Sequence, residues 1–345
     1  MESAVGEAVQ NVEVGLSLPN RGVLFGLSPQ TLLDVADIAE ESGAFGSVWV
    51  GDNFLSKPRL EAIVTLAGIA ARTKRIKLGT ICLATFPMRH PLPLAIQWAS
   101  LDVLSGGRTI LAVCNGGSAK DGPGFALELE TMGVASKERV GRVEEGIEIL
   151  RRFWSGDPVD FAGEFYTFRG VQVQPRPVQN QIPIVIAANP HPSQGDEVEE
   201  RILRRVARLG DGWQTDGLPP ELFQKRWNRI RQMAQEEGRE GNVNHVSLHL
   251  MVNINDNAAA ARRAAVEFLS HYYGAGTITE EKLSSWLAFG SPAAVVEKID
   301  EFIKAGCTTP VLRFVDADQI GQVRRCIDEV LPHLSKATSV PFMEP

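Results

Sequence analysis

The chain reads as an α/β protein, a single (β/α)8 barrel spanning residues 1–345 with insertions at the carboxyl-terminal face of its sheet. Short β-branched runs alternate with longer helical patterns, as repeated βα units winding a parallel sheet require. Eight such cycles occur, which suits a closed barrel better than an open sheet. No G-x-G-x-x-G follows the first run, so the dinucleotide-binding open sheet is the weaker alternative.

The expected strands are 12–18, 46–50, 76–82, 109–114, 183–187, 211–215, 245–253 and 309–314, each followed by a helical pattern. Ser28-Pro29 opens the first helix with a capping hydroxyl and an N1 proline, and Gly43 stops it. Ser291-Pro292 and Gly306 repeat that pair before the last strand. Three segments exceed a minimal barrel. Residues 115–137 form a glycine-containing segment after strand four, and 271–290 are expected to form a lid loop. Residues 157–180 carry two alternating runs around Gly and Pro, the pattern of an extra hairpin.

Composition narrows the function classes. Apolar residues make up 44% and charged residues 22%, which excludes a disordered or fibrous chain. A net charge of -7 without any Lys/Arg cluster lacks the footprint of a nucleic-acid binder. The start, MESAVGEAVQ, has two Glu and no apolar core, so a cytoplasmic location is expected. The longest mostly apolar stretch, Ala62 to Ala71, is too short to span a bilayer. Cys82, Cys114, Cys307 and Cys326 lie far apart in sequence, so reduced thiols are the default and no metal site is expected.

Catalysis on a barrel belongs to the carboxyl ends of the strands. On strand seven, alternation sets Val246, Leu248, Leu250 and Val252 toward the helices and His245, Ser247, His249 and Met251 inward. His249 then lies near the catalytic end, as a site residue or as a hydrogen-bonded structural histidine. Strand two ends in VWVGDNF, placing Trp49, Asp52 and Asn53 at the rim; core packing by Trp49 and turn capping by Asp52 are the alternatives. Strand four ends in Cys114 and Asn115 before two glycines that would let backbone amides approach a ligand. Strand five ends in Ala187, Ala188 and Asn189 before a helix whose amino terminus is a candidate phosphate site. Nothing forms a triad, a metal cage or a glycosidase pair, which points to a cofactor carrying the chemistry.

Several stretches together resemble the bacterial luciferase-like flavin- and F420-dependent oxidoreductases: LLDVADIAEESGAFGSVWVGDNF, AARTKRIKLGT, RHPLPLAIQWASLDVLSGGR, ERVGRVEEGIEILRRFWSGDPVDFAGEFYTF and VQPRPVQNQIPIVIA. They span most of residues 12–215; GSPAAVVEKIDEFIKAGC extends the likeness toward the carboxyl terminus. The resemblance implies a barrel that binds reduced FMN or F420, usually as a homodimer, here through helices two and three. It also implies a non-proline cis peptide near Ile81-Cys82. The ring would pack near Ile81 and Trp49, with Asp52, Thr80, Cys82 and Ala187 around it and its phosphate near Asn115, Ala188 and Asn189.

Departures from the family refine this. Many members carry His at the position of Asn53, and an F420-dependent sugar-phosphate dehydrogenase has its catalytic Glu where Gly117 stands. Luciferase has a reactive cysteine matching Cys114 and a phosphate-binding Arg where this chain has Asn115. The leading expectation is an FMN-dependent monooxygenase on an unidentified small organic substrate, supplied with reduced FMN by a separate flavin reductase. Asn53, Cys114 and His249 would be its catalytic residues. The alternatives are an F420-dependent hydride-transfer enzyme, with Lys57, Arg59 and Arg89 forming a basic mouth for the phosphorylated tail, and a non-catalytic flavin-binding protein.

Overall fold

The computed structural model describes residues 12–117, 122–274, 276 and 278–335. Eleven strands are present among them: β1 (Gly15–Ser17), β2 (Ser47–Val50), β3 (Lys77–Thr80), β4 (Thr109–Val113), β5 (Val159–Ala162), β6 (Thr167–Val171), β7 (Ile184–Ala187), β8 (Gly212–Asp216), β9 (His245–Ile254), β10 (Leu287–Gly290) and β11 (Thr309–Phe314). Eight of them close in the order β1-β2-β3-β4-β7-β8-β9-β11, all parallel, with β11 returning to β1. This is the expected (β/α)8 barrel, and its strands fall within three residues of the expected bounds.

The helices are α1 (Pro29–Ser42), α2 (Ala62–Arg72), α3 (Pro91–Ser105), α4 (Pro123–Thr131), α5 (Arg139–Ser155), α6 (Asp196–Leu209), α7 (Pro220–Glu236), α8 (Ala258–Tyr273), α9 (Glu280–Trp286), α10 (Pro292–Lys304) and α11 (Gln319–Arg325). Ser28 caps α1 by accepting from the Gln30 amide, and Ser291 caps α10 through Ala294. None of these helices is long and apolar enough to cross a membrane.

The segment 271–290 is not the expected loop. It continues α8 to Tyr273, then forms α9, capped by Thr279, and β10, which pairs with the outer half of β9 (Met251–Ile254). Trp286, Leu283 and Leu287 bury against Met251, Leu269 and Val315 in a small satellite core. The segment is therefore a packed wall. Residues 157–180 do contain the hairpin β5-β6, but it lies outside the barrel on α3 and α5. There His90 meets Tyr166 and Phe168 edge-on, and Glu145 accepts from the Glu164 amide.

Asp102 explains why LDVLSGGR and QPRPVQN occur together. Its buried carboxylate accepts from Thr109 Oγ1 (2.7 Å), the amides of Val178 (2.8 Å) and Gln179 (3.0 Å), and Gln179 Nε2 (2.7 Å). One charge thus ties the end of α3, the start of β4 and the chain entering β7. Hydrogen bonds to a charged acceptor contribute about 1.5–3 kcal/mol each, and the orphaned donors stay buried. Asp102→Ala is expected to lower the unfolding free energy by about 3 kcal/mol or more in equilibrium denaturation. An unchanged midpoint would show that the clasp carries no stability.

Candidate active site

At the carboxyl face, Leu83 donates its amide to the Ala112 carbonyl (2.7 Å) and bridges to Val113, drawing the chain after β3 against β4. The intervening Ile81-Cys82 peptide is cis, as the resemblance implied. Cys82 and Cys114, 32 positions apart, meet in a disulfide with Cα atoms 6.1 Å apart. This corrects two expectations: these thiols are not reduced, and Cys114 is not a free nucleophile. Parallel pairing makes neighbours of the two strand ends, which sequence distance conceals. Cys307 and Cys326 are free and buried, as expected.

Two cavities of about 220 Å³ and about 200 Å³ adjoin above this floor, and both are lined by Ile81, Cys82, Asp216 and His249. The first opens among the chains following β1, β2 and β11 and the end of α8; the second lies against Ala187, Ala188, Asn189, Gln214 and Thr215. A groove of about 700 Å³ between α6 and α7 is larger, but its Glu199, Glu200, Arg226 and Arg229 are paired with one another. The mouth is the site the barrel rule selects.

Asp216 and His249 are register partners on β8 and β9. Burial raises the Asp216 pKa, with a hydrogen bond from Asn189 and the charge of Lys282 opposing. His249 is pushed down to about 3, first by burial and then by Arg313 and Arg21. Its Nε2 is buried and has no hydrogen-bond partner. Gln214 Nε2 and Thr215 Oγ1, on residues lining the second cavity, are orphaned in the same way. Buried polar atoms without a protein partner at a cavity wall are open to a water or to a ligand edge.

The expected site residues separate into two groups. Ile81, Cys82, Asp52, Ala187, Ala188, Asn189 and His249 line the mouth. Trp49, Asn53, Thr80, Cys114 and Asn115 line neither cavity. Trp49 fills the barrel interior at the opposite end; a Cβ on Gly79 would lie 2.4 Å from its ring and one on Gly15 2.5 Å. Thr80 Oγ1 is spent on the Ala112 carbonyl (2.7 Å) and amide (3.1 Å). Asn53 Nδ2 donates to the Lys57 carbonyl (2.8 Å) and so shapes the loop carrying Lys57 and Arg59.

Asp52, although it borders the mouth, is spent on Thr85 (amide 2.8 Å) and on Arg89 (3.2 Å), and burial still raises its pKa. Arg89 also pairs with Glu61 (2.8 Å), which removes it from the expected basic mouth. Near strand four the carbonyls, rather than the amides, are engaged: Arg139 Nη1 donates to the carbonyls of Asn115, Gly116 and Gly117 at 2.7–3.1 Å. Gly116, at φ 69°, also passes so close to Ala84 that a Cβ would meet its carbonyl oxygen at 2.4 Å. The helix after Asn189 does not offer an anion site either, because α6 starts only at Asp196 and its first turn holds three acids.

Residues missed in the sequence are as informative. Arg21, after β1, and Arg313, in β11, join Arg59 in lining the first cavity with Phe25, Phe268, Tyr272 and Tyr273. Inward alternation on β11 marks Arg313, and the strand-end position marks Asp216; both were readable. Arg21 follows a proline turn and carries no such signal. Among the described residues no cluster suits a metal ion.

A closed parallel barrel with a two-part mouth at the carboxyl ends of its strands has the architecture of a barrel enzyme. The family model for luciferase-like monooxygenases matches residues 12–309, and the chain belongs to that family of oxidoreductases. It is 26% identical over 340 residues to the F420-dependent glucose-6-phosphate dehydrogenase of Kineococcus radiotolerans, covering 89% of this chain and 94% of the other. It is 25% identical over 348 residues to the 5,10-methylenetetrahydromethanopterin reductase of Methanopyrus kandleri, covering 89% and 96%. An F420-dependent secondary alcohol dehydrogenase, solved with an F420-acetone adduct, shares the fold with a TM-score of 0.78 at 17% identity, over 93% of this chain and 98% of that one.

The buried neutral His249 has a measurable consequence. Its folded pKa lies below the ordinary imidazole value, so the unfolded chain takes up the extra proton first. Stability from this group is full above about pH 6.5 and falls as pH drops toward 3, by at most about 1.4 kcal/mol per pH unit. Replacing His249 by Gln should flatten this limb in urea titrations between pH 6.5 and 4; identical slopes would mean that His249 titrates normally.

Proposed function

We propose that the protein is an F420-dependent oxidoreductase that moves a hydride between the deazaflavin and a small substrate. The observation that carries this reading is the Asp216–His249 pair at the junction of the two cavities, one group held toward its protonated form and the other neutral. Interconverting a carbonyl and an alcohol moves a proton as well as a hydride, and two groups with displaced pKa values can hold that proton. The F420-dependent relatives support the choice of cofactor.

The residues present fit such a ring. Ile81 and Cys82 supply a floor, while Gln214 Nε2 and Thr215 Oγ1 have unmet hydrogen-bonding capacity toward its heteroatom edge. A deazaflavin held there would supply or accept the hydride. Asp216 donates to or recovers a proton from the substrate oxygen, and His249 orients that oxygen through Nε2. Tyr272, Tyr273 and Phe268 shield the reacting groups from water.

The sugar-phosphate dehydrogenase chemistry itself does not transfer. Phe125 packs so closely over Gly117 that a Cβ there would lie 2.3 Å from its ring. That missing acid also supports a second reading, an FMN-dependent monooxygenase served by a separate reductase, whose oxygen chemistry asks less of acid-base groups. Anaerobic titration with F420, FMN and reduced FMN distinguishes them. F420 binding with kcat lowered about 100-fold in Asp216→Asn and an unchanged KM for F420 is the expected result. Binding of reduced FMN alone would replace the proposal with the monooxygenase.

The assembly belongs to the same proposal: a homodimer through α2 and α3. Val64 is 72% and Leu104 68% exposed on these helices, with Val103 and Ile96 beside them. Exposed apolar side chains on two neighbouring helices are suited to a partner. Light scattering should give twice the 37.6 kDa chain mass, falling to one chain in Val64→Asp/Leu104→Asp. A monomeric wild-type protein would remove the dimer.

A further inference from the structure

The first cavity gathers more positive charge than its surroundings answer. Arg21, Arg59 and Arg313 line it, and Lys57 lies within 4.8 Å of the Tyr272 ring centroid. Arg21 and Arg313 each lie 4.0 Å from the centroid of that same ring. Arg21 Nε and Arg59 Nε and Nη2 are closed to solvent and have no hydrogen-bond partner. None of the four cations forms an ion pair among the described residues.

The nearby acids are committed or displaced. Asp52 is held by Thr85 and Arg89, and Glu128 accepts from the amides of Phe54 and Leu55. Asp216 stands at the junction, where burial favours its neutral form. Burial, reinforced by Arg313, brings Arg21 and Arg59 down to about 9; burial, then Arg21 and Arg313, bring Lys57 to about 8. Uncompensated buried charge is costly, and a fork of guanidinium donors is matched by an oxyanion.

We infer that this lobe is the substrate subsite for an oxyanion, a carboxylate or phosphate on a small apolar body, gripped by Arg21, Arg59 and Arg313. The aromatic residues Phe25, Phe268 and Tyr273 receive the apolar body. A volume of about 220 Å³ suits a small organic acid or phosphate monoester. The ring is left to the other lobe. The inference rests on the hydride-transfer reading for calling the anion a substrate, whereas anion capture stands on the orphaned guanidinium atoms alone.

Calorimetric titration in a buffer free of carboxylate and phosphate tests it, with benzoate, phenyl phosphate and neutral benzyl alcohol as probes. F420 binding is followed in parallel by absorbance. Benzoate or phenyl phosphate should bind at least tenfold more tightly than benzyl alcohol, the preferred one identifying carboxylate or phosphate as the source. Arg21→Gln and Arg313→Gln should each lose at least tenfold of that affinity while F420 affinity stays within twofold. Arg313→Lys should keep part of it. Arg21→Gln should melt no lower than wild type without ligand, because it removes an unpaired charge, yet gain less from added probe.

Anions binding no better than benzyl alcohol, or equally well to the Gln variants, would overturn the subsite. So would a tenfold loss of F420 affinity in those variants, which would give the cluster to the cofactor's anionic tail. Anion binding by a wild-type protein that ignores F420 would instead sink the hydride-transfer reading and leave the anion subsite standing.

Discussion

Closure of the barrel between β11 and β1 is the constraint on which the site depends. Gly15 pairs with Val311 and Leu16 with Leu312, so the chain after β1 lies beside the end of β11. Arg21 and Arg313, at opposite ends of the sequence, thereby face the same Tyr272 ring, and β2 brings Arg59 to them. Without closure these charges would sit on separate edges of an open sheet, each free to find water. The neighbouring β8–β9 pairing sets Asp216 opposite His249. Backbone pairing, rather than any attraction between the groups, holds four cations together.

What makes that arrangement tolerable is the wall around it. Cation-π contact with Tyr272 and, for Lys57, with Tyr273 substitutes in part for water. Those tyrosines end α8, and the helix and strand that follow bury against β9. The part from Thr279 onward is therefore a packed backing, held by a Thr279 cap and by Leu283 and Trp286 in a separate apolar core. A floppy cover would let solvent reach the guanidinium groups and weaken their call on a ligand.

The sequence made the barrel legible because each strand is short, β-branched and bounded by turn residues, a local signal. It made His249 legible for a related reason, since alternation on β9 needs only five residues. It did not reveal interactions between distant positions. Cys82 and Cys114, Asp52 and Arg89, and Arg139 with the carbonyls of 115–117 are each separated by more than twenty residues. Trp49 shows the limit of a local reading: its place at the end of β2 suggested the rim, but the glycines of neighbouring strands open room for its ring at the floor.

The two parts of the mouth are electrostatically joined. Arg313 and Arg21, after burial, are the groups that hold the His249 imidazole neutral. An oxyanion seated among them would cancel part of that field and make His249 more basic only while substrate is bound. Asp216 experiences the opposite influence, since an added negative charge nearby disfavours its ionisation further. Binding would thus make the imidazole more basic while holding Asp216 further toward its protonated form, so that two hydrogen-bond donors face a carbonyl when it arrives. A neutral substrate would not alter the pair in this way, so the charge that binds the ligand also prepares the proton for it.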